Sequence, residues 1–167
     1  EIEIPKSLDN CGATGTYSYE FNGATYNVYA GPFAFCENLK MVSFEQDTTQ
    51  IANNLFRGCT GLESIIIPET VTVIEEWAFD DCLRLADITM GDAVETIDRS
   101  AFEYCVSLKE ITLSKKLEYL GYMAFAYAAI ETVEIPKSLN NCSSTGTYSY
   151  EFNGITYSIQ AGPFAFC

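Results

Sequence analysis

Histidine is absent from the 167 residues of this chain. Its absence removes the usual general base of enzymes and the residue that activates serine or cysteine in catalytic triads. It also removes a common zinc ligand, and no two of the seven cysteines are spaced like paired zinc ligands. We therefore expect neither triad chemistry nor a bound cofactor.

Basic residues are scarce: nine lysines and arginines stand against 23 acidic residues, which gives a net charge of −14. Nucleic-acid binding requires clustered basic side chains, so this charge excludes nucleic acid as a partner. An acidic surface instead permits calcium, basic patches of other proteins, or solubility alone. Calcium between Glu75 and Asp98 is one interpretation, although no loop carries the Asp-x-Asp-x-Asp-Gly ligand pattern.

Long apolar runs are missing as well. No stretch approaches the roughly 20 apolar residues that cross a bilayer, so we expect no membrane insertion. Apolar residues still make up 48% of the chain, enough for a continuous core. The chain begins and ends in mid-repeat, and we interpret residues 1–167 as a single domain cut from a longer array.

A 23-residue repeat is the strongest pattern present. Five phenylalanines and four cysteines recur at this interval: Phe33, Phe56, Phe79, Phe102 and Phe125, and Cys36, Cys59, Cys82 and Cys105. Self-similarity at a fixed period of about 20 to 50 residues indicates stacked supersecondary units, so the sequence predicts a solenoid. The phenylalanines are expected to stack as an aromatic column in its core.

Each repeat, or rung, predicts one strand. In the clearest copy, Ile65 and Ile67 alternate with outward-facing residues, and Pro68 ends the run. The other strands are predicted at Ile2–Ile4, Val42–Phe44, Ile88–Met90, Ile111–Leu113 and Val133–Ile135. We expect six parallel strands in one sheet. Its outward positions carry no aromatic residue, which argues against that face as the binding surface.

The repeat Leu-x-x-Ile-x-Ile-Pro-x-x-Val-x-x-Ile-x-x-x-Ala-Phe-x-x-Cys resembles the bacterial surface leucine-rich repeat of the Treponema pallidum or BspA-like type. The resemblance covers essentially the whole chain, and Ala128, where cysteine is expected, is a local departure. It implies a leucine-rich repeat solenoid, a curved right-handed superhelix with one parallel strand per repeat. It also implies an extracellular or cell-surface bacterial protein that binds host or neighbouring-cell molecules and has no catalytic residues.

A second, longer repeat lies over the first. Residues 1–36 reappear as 132–167 with 27 of 36 positions identical, a period of 131 residues. Both copies carry extra residues, at about 12–29 and 143–160, in which Asn-Gly separates two alternating runs. Asn-Gly favours a two-residue turn because both central residues need positive φ. We therefore predict a β-hairpin insertion in the first and last rungs.

Tyrosines of these hairpins are the candidate partner-binding residues: Tyr17, Tyr19, Tyr26, Tyr29, Tyr148, Tyr150 and Tyr157. Tyrosine is a rigid, amphipathic anchor in protein interfaces. The alternative is that the aromatic side of each hairpin docks on the solenoid, because an isolated hairpin is only marginally stable in water. Exposed rings would favour recognition, and buried rings would favour a structural brace.

The cysteines behave as core residues in the pattern. The repeated cysteines share one inward position with Ala128, and Cys11 and Cys142 align with Ile74. A residue that exchanges with alanine and isoleucine acts as a small hydrophobe, so we predict free, buried thiols. Cys167 is the one thiol expected to be accessible.

Paired carboxylates are the remaining route to catalysis, in the manner of a glycosidase. The pairs Glu75-Glu76 and Asp80-Asp81 are predicted at outward, solvated positions of the solenoid, which favours a surface role over chemistry.

These patterns together predict a non-catalytic protein-interaction or adhesion module. The resemblance implies a host or neighbouring-cell protein or a surface glycan as partner, and the ends of the array predict head-to-tail self-association. A rigid structural spacer that holds another domain away from the cell is the alternative. A binding face should expose aromatic or arginine anchors, whereas a spacer should not.

Overall fold

The computed structural model describes residues 2–4, 15–21, 24–142, 146–152, 155–165 and 167, which form strands, turns and irregular segments. Within this part of the chain, no helix has the length and apolar character to cross a membrane. The strands are, in chain order, β1 (Ile2–Ile4), β2 (Gly15–Phe21), β3 (Ala24–Ala30), β4 (Met41–Phe44), β5 (Gln50–Ile51), β6 (Ser64–Ile66), β7 (Val73–Ile74), β8 (Asp87–Thr89), β9 (Thr96–Ile97), β10 (Glu110–Ile111), β11 (Tyr119–Leu120), β12 (Thr132–Val133), β13 (Asn141–Cys142), β14 (Gly146–Phe152) and β15 (Ile155–Ala161).

The strands predicted from the repeat form what we call the front sheet. Successive rungs pair in parallel with a 23-residue offset, as where Ile65 of β6 lies beside Ile88 of β8. The solenoid prediction is thereby confirmed, although the observed strands begin at the preceding residue in every copy except the first. The expectation of one six-stranded sheet is wrong. The front sheet is divided into a four-stranded part, β1-β4-β6-β8, and a pair, β10-β12.

A second sheet, the back sheet, was not predicted. It runs without interruption in the order β13-β11-β9-β7-β5, with two residues per strand. In β5, β7, β9 and β11 one residue of the two is buried, and Ile74, Ile97 and Leu120 are fully buried. Cys142 continues their register, as its alignment with Ile74 predicted. Two residues are too few to show the period-2 alternation by which a strand is found in sequence.

Between the back sheet of one rung and the front sheet of the next, the chain turns through four equivalent segments that we call the turn ladder: residues 53–58, 76–81, 99–104 and 122–127. Alternate amides there donate to the next rung, for example Trp77 N–H to the Arg99 carbonyl at 3.1 Å and Asp81 N–H to the Glu103 carbonyl at 3.0 Å. Each segment also has two left-handed residues, such as Trp77 (φ 54°) and Asp81 (φ 59°). Such residues are strained by about 1–2 kcal/mol, which the ladder bonds offset.

Gly58 is the glycine for which this geometry matters. It has φ +70° at the position that Asp81 occupies one rung later. A Cβ there would lie 2.4 Å from the Phe35 ring, so the ring packs directly over the glycine backbone. Gly58 therefore accommodates both the left-handed conformation and a neighbouring aromatic side chain.

The interior is organised around the phenylalanine column, as predicted. Neighbouring rings lie nearly parallel with centroids 5.1–5.7 Å apart, from Phe33 through Phe125 and on to Phe164. Phe56, Phe79, Phe102 and Phe125 are completely buried. Offset-stacked rings add about 0.5–1.5 kcal/mol per pair to the burial itself. The column therefore joins the rungs into one continuous core.

The cysteines do more than fill space in this core. Cys82 Sγ donates to the Phe56 carbonyl at 3.3 Å and Cys105 Sγ to the Phe79 carbonyl at 3.4 Å. Burial raises the pKa of the Cys59 thiol to about 12, which keeps it protonated as a donor. Each thiol thus ties its own rung to the phenylalanine of the preceding one.

The six described cysteines are free thiols, but the prediction that all except Cys167 are hidden is wrong. Cys36 and Cys142 are exposed as well, whereas Cys59, Cys82 and Cys105 are buried. Cys36 occupies the first position of its column, and Cys142 lies in the last strand of the back sheet. Neither has a described rung packed on its outer side, and that packing is what buries the other thiols. Cys11 lies outside the described residues.

Candidate functional site

The hairpin tyrosines proved to be outside the part of the chain whose side chains the structure describes. Their backbones form two antiparallel pairs, in which Tyr19 lies opposite Tyr26 and Tyr150 opposite Tyr157. Tyr17 lies opposite Val28. The binding role of the remaining candidates stays a prediction in the same way: Tyr29 and Tyr148.

A different group of anchor residues lies on the turn ladder. Trp77, the one tryptophan of the chain, has the Arg99 guanidinium 4.2 Å from its ring centroid and that of Arg57 5.7 Å away. Arg99 also pairs with Glu76 at 3.1 Å. Cation–π contacts of this kind contribute about 0.5–2 kcal/mol and hold the tryptophan in one orientation.

Beneath this group is a buried ion pair that contradicts one expectation. Asp80 was predicted to face solvent, yet its side chain is 5% exposed and bonds Arg57 at 2.9 Å. Burial raises the pKa of Asp80, the neighbouring Asp81 charge raises it further, and Arg57 opposes both effects. Asp81 and Glu103 also have raised pKa values, mainly through burial. All three carboxyl groups interact electrostatically with Arg57.

Apolar side chains continue the same side of the solenoid. Tyr104 stacks on Tyr127 with centroids 4.5 Å apart. Leu83, Tyr104 and Val106 are 39%, 36% and 48% exposed, which places three large apolar residues on two adjacent rungs. We call Arg57, Trp77, Leu83, Arg99, Tyr104, Val106 and Tyr127 together the turn surface. Clustered exposed apolar residues of this type mark interaction sites.

Sequence reasoning missed the turn surface because the type of residue at each of its positions changes from one rung to the next. The signal that was available is the 23-residue spacing between residues of opposite charge. Each ion pair between described residues joins positions 23 apart: Lys40–Glu63, Arg57–Asp80, Glu76–Arg99 and Asp92–Lys115. Residues one period apart lie side by side in a solenoid, so the pairing of opposite charges could have been read directly.

The remaining acidic candidates serve the backbone. The Glu75 carboxylate accepts from the Asn53 amide at 2.9 Å, and the Asp98 carboxylate accepts from the Arg99 amide at 2.7 Å. Among the described residues, no group of three or more histidine, cysteine, aspartate or glutamate side chains is placed to hold a metal ion. Glu75 and Asp98 are thus hydrogen-bonded caps in this structure.

The front sheet is divided between β8 and β10, at what we call the seam. The regular rung-to-rung bonds run from Glu63 N–H to the Lys40 carbonyl and from Ala86 N–H to the Glu63 carbonyl, both 3.0 Å. The next bond, from Lys109 N–H to the Ala86 carbonyl, is absent. A groove of about 840 Å³ lies over the front sheet here and is lined by residues of β8, β10 and β12. Its lining includes Asp87, Thr89, Glu110, Thr112, Thr132 and Glu134.

Comparison with known proteins identifies the architecture. Residues 27–156 match the family model described as "BspA type Leucine rich repeat region (6 copies)". The chain belongs to this family. The leucine-rich repeat resemblance is therefore confirmed over most of the sequence. No curated protein sequence matches the chain.

Two solved structures share this leucine-rich repeat fold. A leucine rich cell surface protein from Faecalibacterium prausnitzii is similar with 26% identity and a TM-score of 0.59, over 83% of this chain and 36% of that protein. A leucine-rich repeat protein from Eubacterium ventriosum has 22% identity and a TM-score of 0.56, over 74% of this chain and 30% of that protein. The chain thus spans about a third of the length of either neighbour.

Proposed function

We propose that this leucine-rich repeat chain is a non-catalytic binding module of a bacterial cell-surface or secreted protein, with a role in adhesion. The turn surface is the observation that carries the proposal. It presents tryptophan, arginine and tyrosine, the residue types that dominate interface energetics, on a backbone held by hydrogen bonds to both neighbouring rungs. Because these anchors are already ordered, binding costs little side-chain entropy.

The partner is proposed to be a protein or a surface glycan of a host or neighbouring cell. The cell-surface description of the F. prausnitzii neighbour supports that location for this chain. The charge of −14 is consistent with a protein that works in solvent and avoids nucleic acid.

A direct test applies the fluorescently labelled chain to intact bacterial and epithelial cells and to arrays of immobilised matrix proteins and glycans. We expect saturable binding that a Trp77→Ala/Tyr104→Ala double variant weakens by about tenfold or more, because truncating two central anchors costs over 1 kcal/mol each. Tyr119→Ala, on the back sheet, is the matched aromatic control and should change affinity by less than about twofold. Thermal melts confirm that the variants are folded.

A structural spacer is the second candidate, and the uninterrupted phenylalanine column favours it. A chain of stacked rings and hydrogen-bonded rungs resists bending, as a spacer must. If the chain shows no saturable binding to any surface tested, the spacer function would be favoured over the binding function. Binding that survives the turn-surface variant but is lost in Tyr19→Ala/Tyr26→Ala would move the site to the first hairpin.

A further inference from the structure

The arginines of this chain are not distributed like its lysines. The chain has three, Arg57, Arg84 and Arg99, and they lie on successive rungs, in the turn ladder or in the loop that follows it. Two of them are neutralised by a carboxylate one period away, since Arg57 bonds Asp80 at 2.9 Å and Arg99 bonds Glu76 at 3.1 Å. These two guanidinium groups are therefore already in use within the solenoid.

Arg84 lacks a neighbour of this kind. The residues one period before and after it are Gly61 and Ser107, and neither can carry a charge. Arg84 is exposed, and none of the ion pairs between described residues includes it. A guanidinium group stays charged throughout the physiological pH range and offers five N–H donors in a planar fork. Arg84 therefore presents an unpaired cation to solvent.

The residues around Arg84 are apolar and exposed. Leu83 precedes it in the chain, and Val106 lies one period from Leu83. The Ser107 hydroxyl donates to the Leu83 carbonyl at 2.7 Å, which holds the two loops side by side. Tyr104, on the same rung as Val106, is exposed as well. Aromatic residues and arginine are enriched at the centres of protein interfaces, whereas lysine and acidic residues are depleted there, so this patch has the composition of such a centre.

We propose that Arg84 is the carboxylate-recognition residue of this surface, and that the partner is a protein segment in which an acidic side chain stands next to apolar ones. The inference rests on the proposed function, since it names the chemistry of the partner that the turn surface would bind. The partner's carboxylate accepts two parallel hydrogen bonds from the guanidinium group, and its apolar side chains cover Leu83 and Val106. Removal of apolar surface from water supplies affinity, and the ion pair fixes the register of the segment.

A protein segment fits this chemistry better than an acidic glycan does. A glycan that contains a uronic or sialic acid could offer a carboxylate to Arg84. Its surface is dominated by hydroxyl groups, however, and these would leave Leu83 and Val106 without an apolar partner. The nearby aromatic rings also have partners within the chain, because a guanidinium group lies 4.2 Å from the Trp77 ring centroid and Tyr104 stacks on another tyrosine.

The test measures the fluorescence anisotropy of a fluorescein-labelled peptide with a central Leu-Glu-Leu-Phe run flanked by serine and glycine. Two chain variants each remove one positive charge: Arg84→Gln, and Lys116→Gln as the matched control. Lys116 is exposed and, like Arg84, belongs to none of the ion pairs between described residues. We expect Arg84→Gln to weaken binding by about tenfold, because a bidentate charged contact is lost, and Lys116→Gln by less than about twofold.

A second peptide, with glutamine in place of the glutamate, completes a double-mutant cycle. It should bind the unaltered chain about tenfold more weakly, and Arg84→Gln should then weaken binding by less than about twofold, because the group that Arg84 recognises is gone. Circular dichroism and thermal melts establish that both chain variants are folded.

Four results would overturn the proposal. They are equal weakening by the two chain variants, an Arg84→Gln effect that is the same for both peptides, and no binding of the first peptide to the unaltered chain at millimolar concentration. The fourth is tighter, Arg84-dependent binding of a hyaluronan fragment, which carries carboxylates but no apolar side chains and would assign the site to an acidic glycan.

Failure of this inference is distinguishable from failure of the proposed function. If binding to cells or matrix proteins depends on Trp77 and Tyr104 but the peptide does not bind, the module recognises a partner of different chemistry and the role of Arg84 is wrong. If the peptide binds in an Arg84-dependent way but no cell or matrix component does, the carboxylate site stands and the adhesion role is wrong.

Discussion

The same two rungs are paired on one side of the solenoid and open on the other. On the back sheet, β9 and β11 pair in register, and Ile97 and Leu120 are fully buried. On the front sheet, β8 and β10 are unpaired, and Ile88 is only partly buried. Both sides carry a neighbouring pair of acidic residues, so like charge alone does not open a sheet.

Side-chain length and position explain part of the difference. Asp87 lies within β8, and Glu110, one period away, lies within β10, so both carboxylates belong to residues of the facing strands. Glu95 precedes β9, and its longer side chain can extend into solvent. Like charges directly opposite each other in a sheet are destabilising by about 0.2–1 kcal/mol. A short solenoid strand has few hydrogen bonds with which to offset that repulsion.

The largest effect should come from the phenylalanine column, which runs through the rungs without interruption. Phe79→Ala removes a fully buried ring stacked between Phe56 and Phe102, and we expect a loss of about 3–5 kcal/mol in the free energy of unfolding. Ile66→Ala truncates a 64% exposed residue of the front sheet and should cost about 0.5 kcal/mol or less. Denaturant titration measures both. Similar losses would mean that the column does not hold the rungs together.

The pH dependence of stability should follow from the buried carboxyl groups of the turn ladder. Asp80, Asp81 and Glu103 have pKa values raised above those of the unfolded chain, so the folded protein binds more protons than the unfolded one. Their contribution is fully present below the unfolded pKa values, about 4, and is lost as pH rises through the raised folded values. We expect the free energy of unfolding to fall as pH rises above about 4, the unfolded value of these groups.

Asp80→Asn identifies the source of that dependence. The amide keeps an acceptor for Arg57 but cannot ionise, so the change in unfolding free energy over the same pH range should be smaller than in the unaltered chain. Glu118→Gln, at an exposed position beside the back sheet, is the matched control and should not alter the dependence of the unfolding free energy on pH. If the pH dependence of the unfolding free energy is the same in Asp80→Asn as in the unaltered chain, groups other than Asp80 cause it.

Ala128 allows the contribution of the thiol hydrogen bond to stability to be measured as a gain in stability. At the equivalent positions, Cys82 and Cys105 donate to the phenylalanine carbonyl of the preceding rung. Alanine has no donor for the Phe102 carbonyl, so Ala128→Cys should stabilise the protein by about 0.5–1 kcal/mol. Thermal melting under reducing conditions checks this. Destabilisation would show that the backbone at this rung has closed over the missing sulfur.

The smallest expected effect concerns the seam itself. If repulsion between Asp87 and Glu110, one period apart, keeps the strands separated, Asp87→Asn should stabilise the chain by a few tenths of a kcal/mol and increase the protection of the Lys109 amide from hydrogen exchange. Glu95→Gln makes the matched change beside paired strands and should leave amide protection on the back sheet as it was. An unprotected Lys109 amide in Asp87→Asn would show that repulsion is not what keeps the seam open.

Much of the architecture was accessible from sequence because the repeat is so regular. The 23-residue period predicted the phenylalanine column, the front strands and the inward cysteines of the central rungs. Its extension to charge would also have paired Arg57 with Asp80. The back sheet was not predicted because its strands are two residues long, and Asp80 was misplaced because an aspartate side chain normally faces water.

What the sequence determined by itself is therefore the stacking: which residues lie one rung apart, and which of them form the core. The tertiary structure alone decided the surfaces. Whether Trp77 lies between two arginines depends on the direction that a left-handed turn gives its side chain. Whether β8 meets β10 depends on a balance between hydrogen bonds and repulsion worth about 1 kcal/mol. A period in sequence fixes neighbours, but differences of that size are settled only by the packing of the whole solenoid.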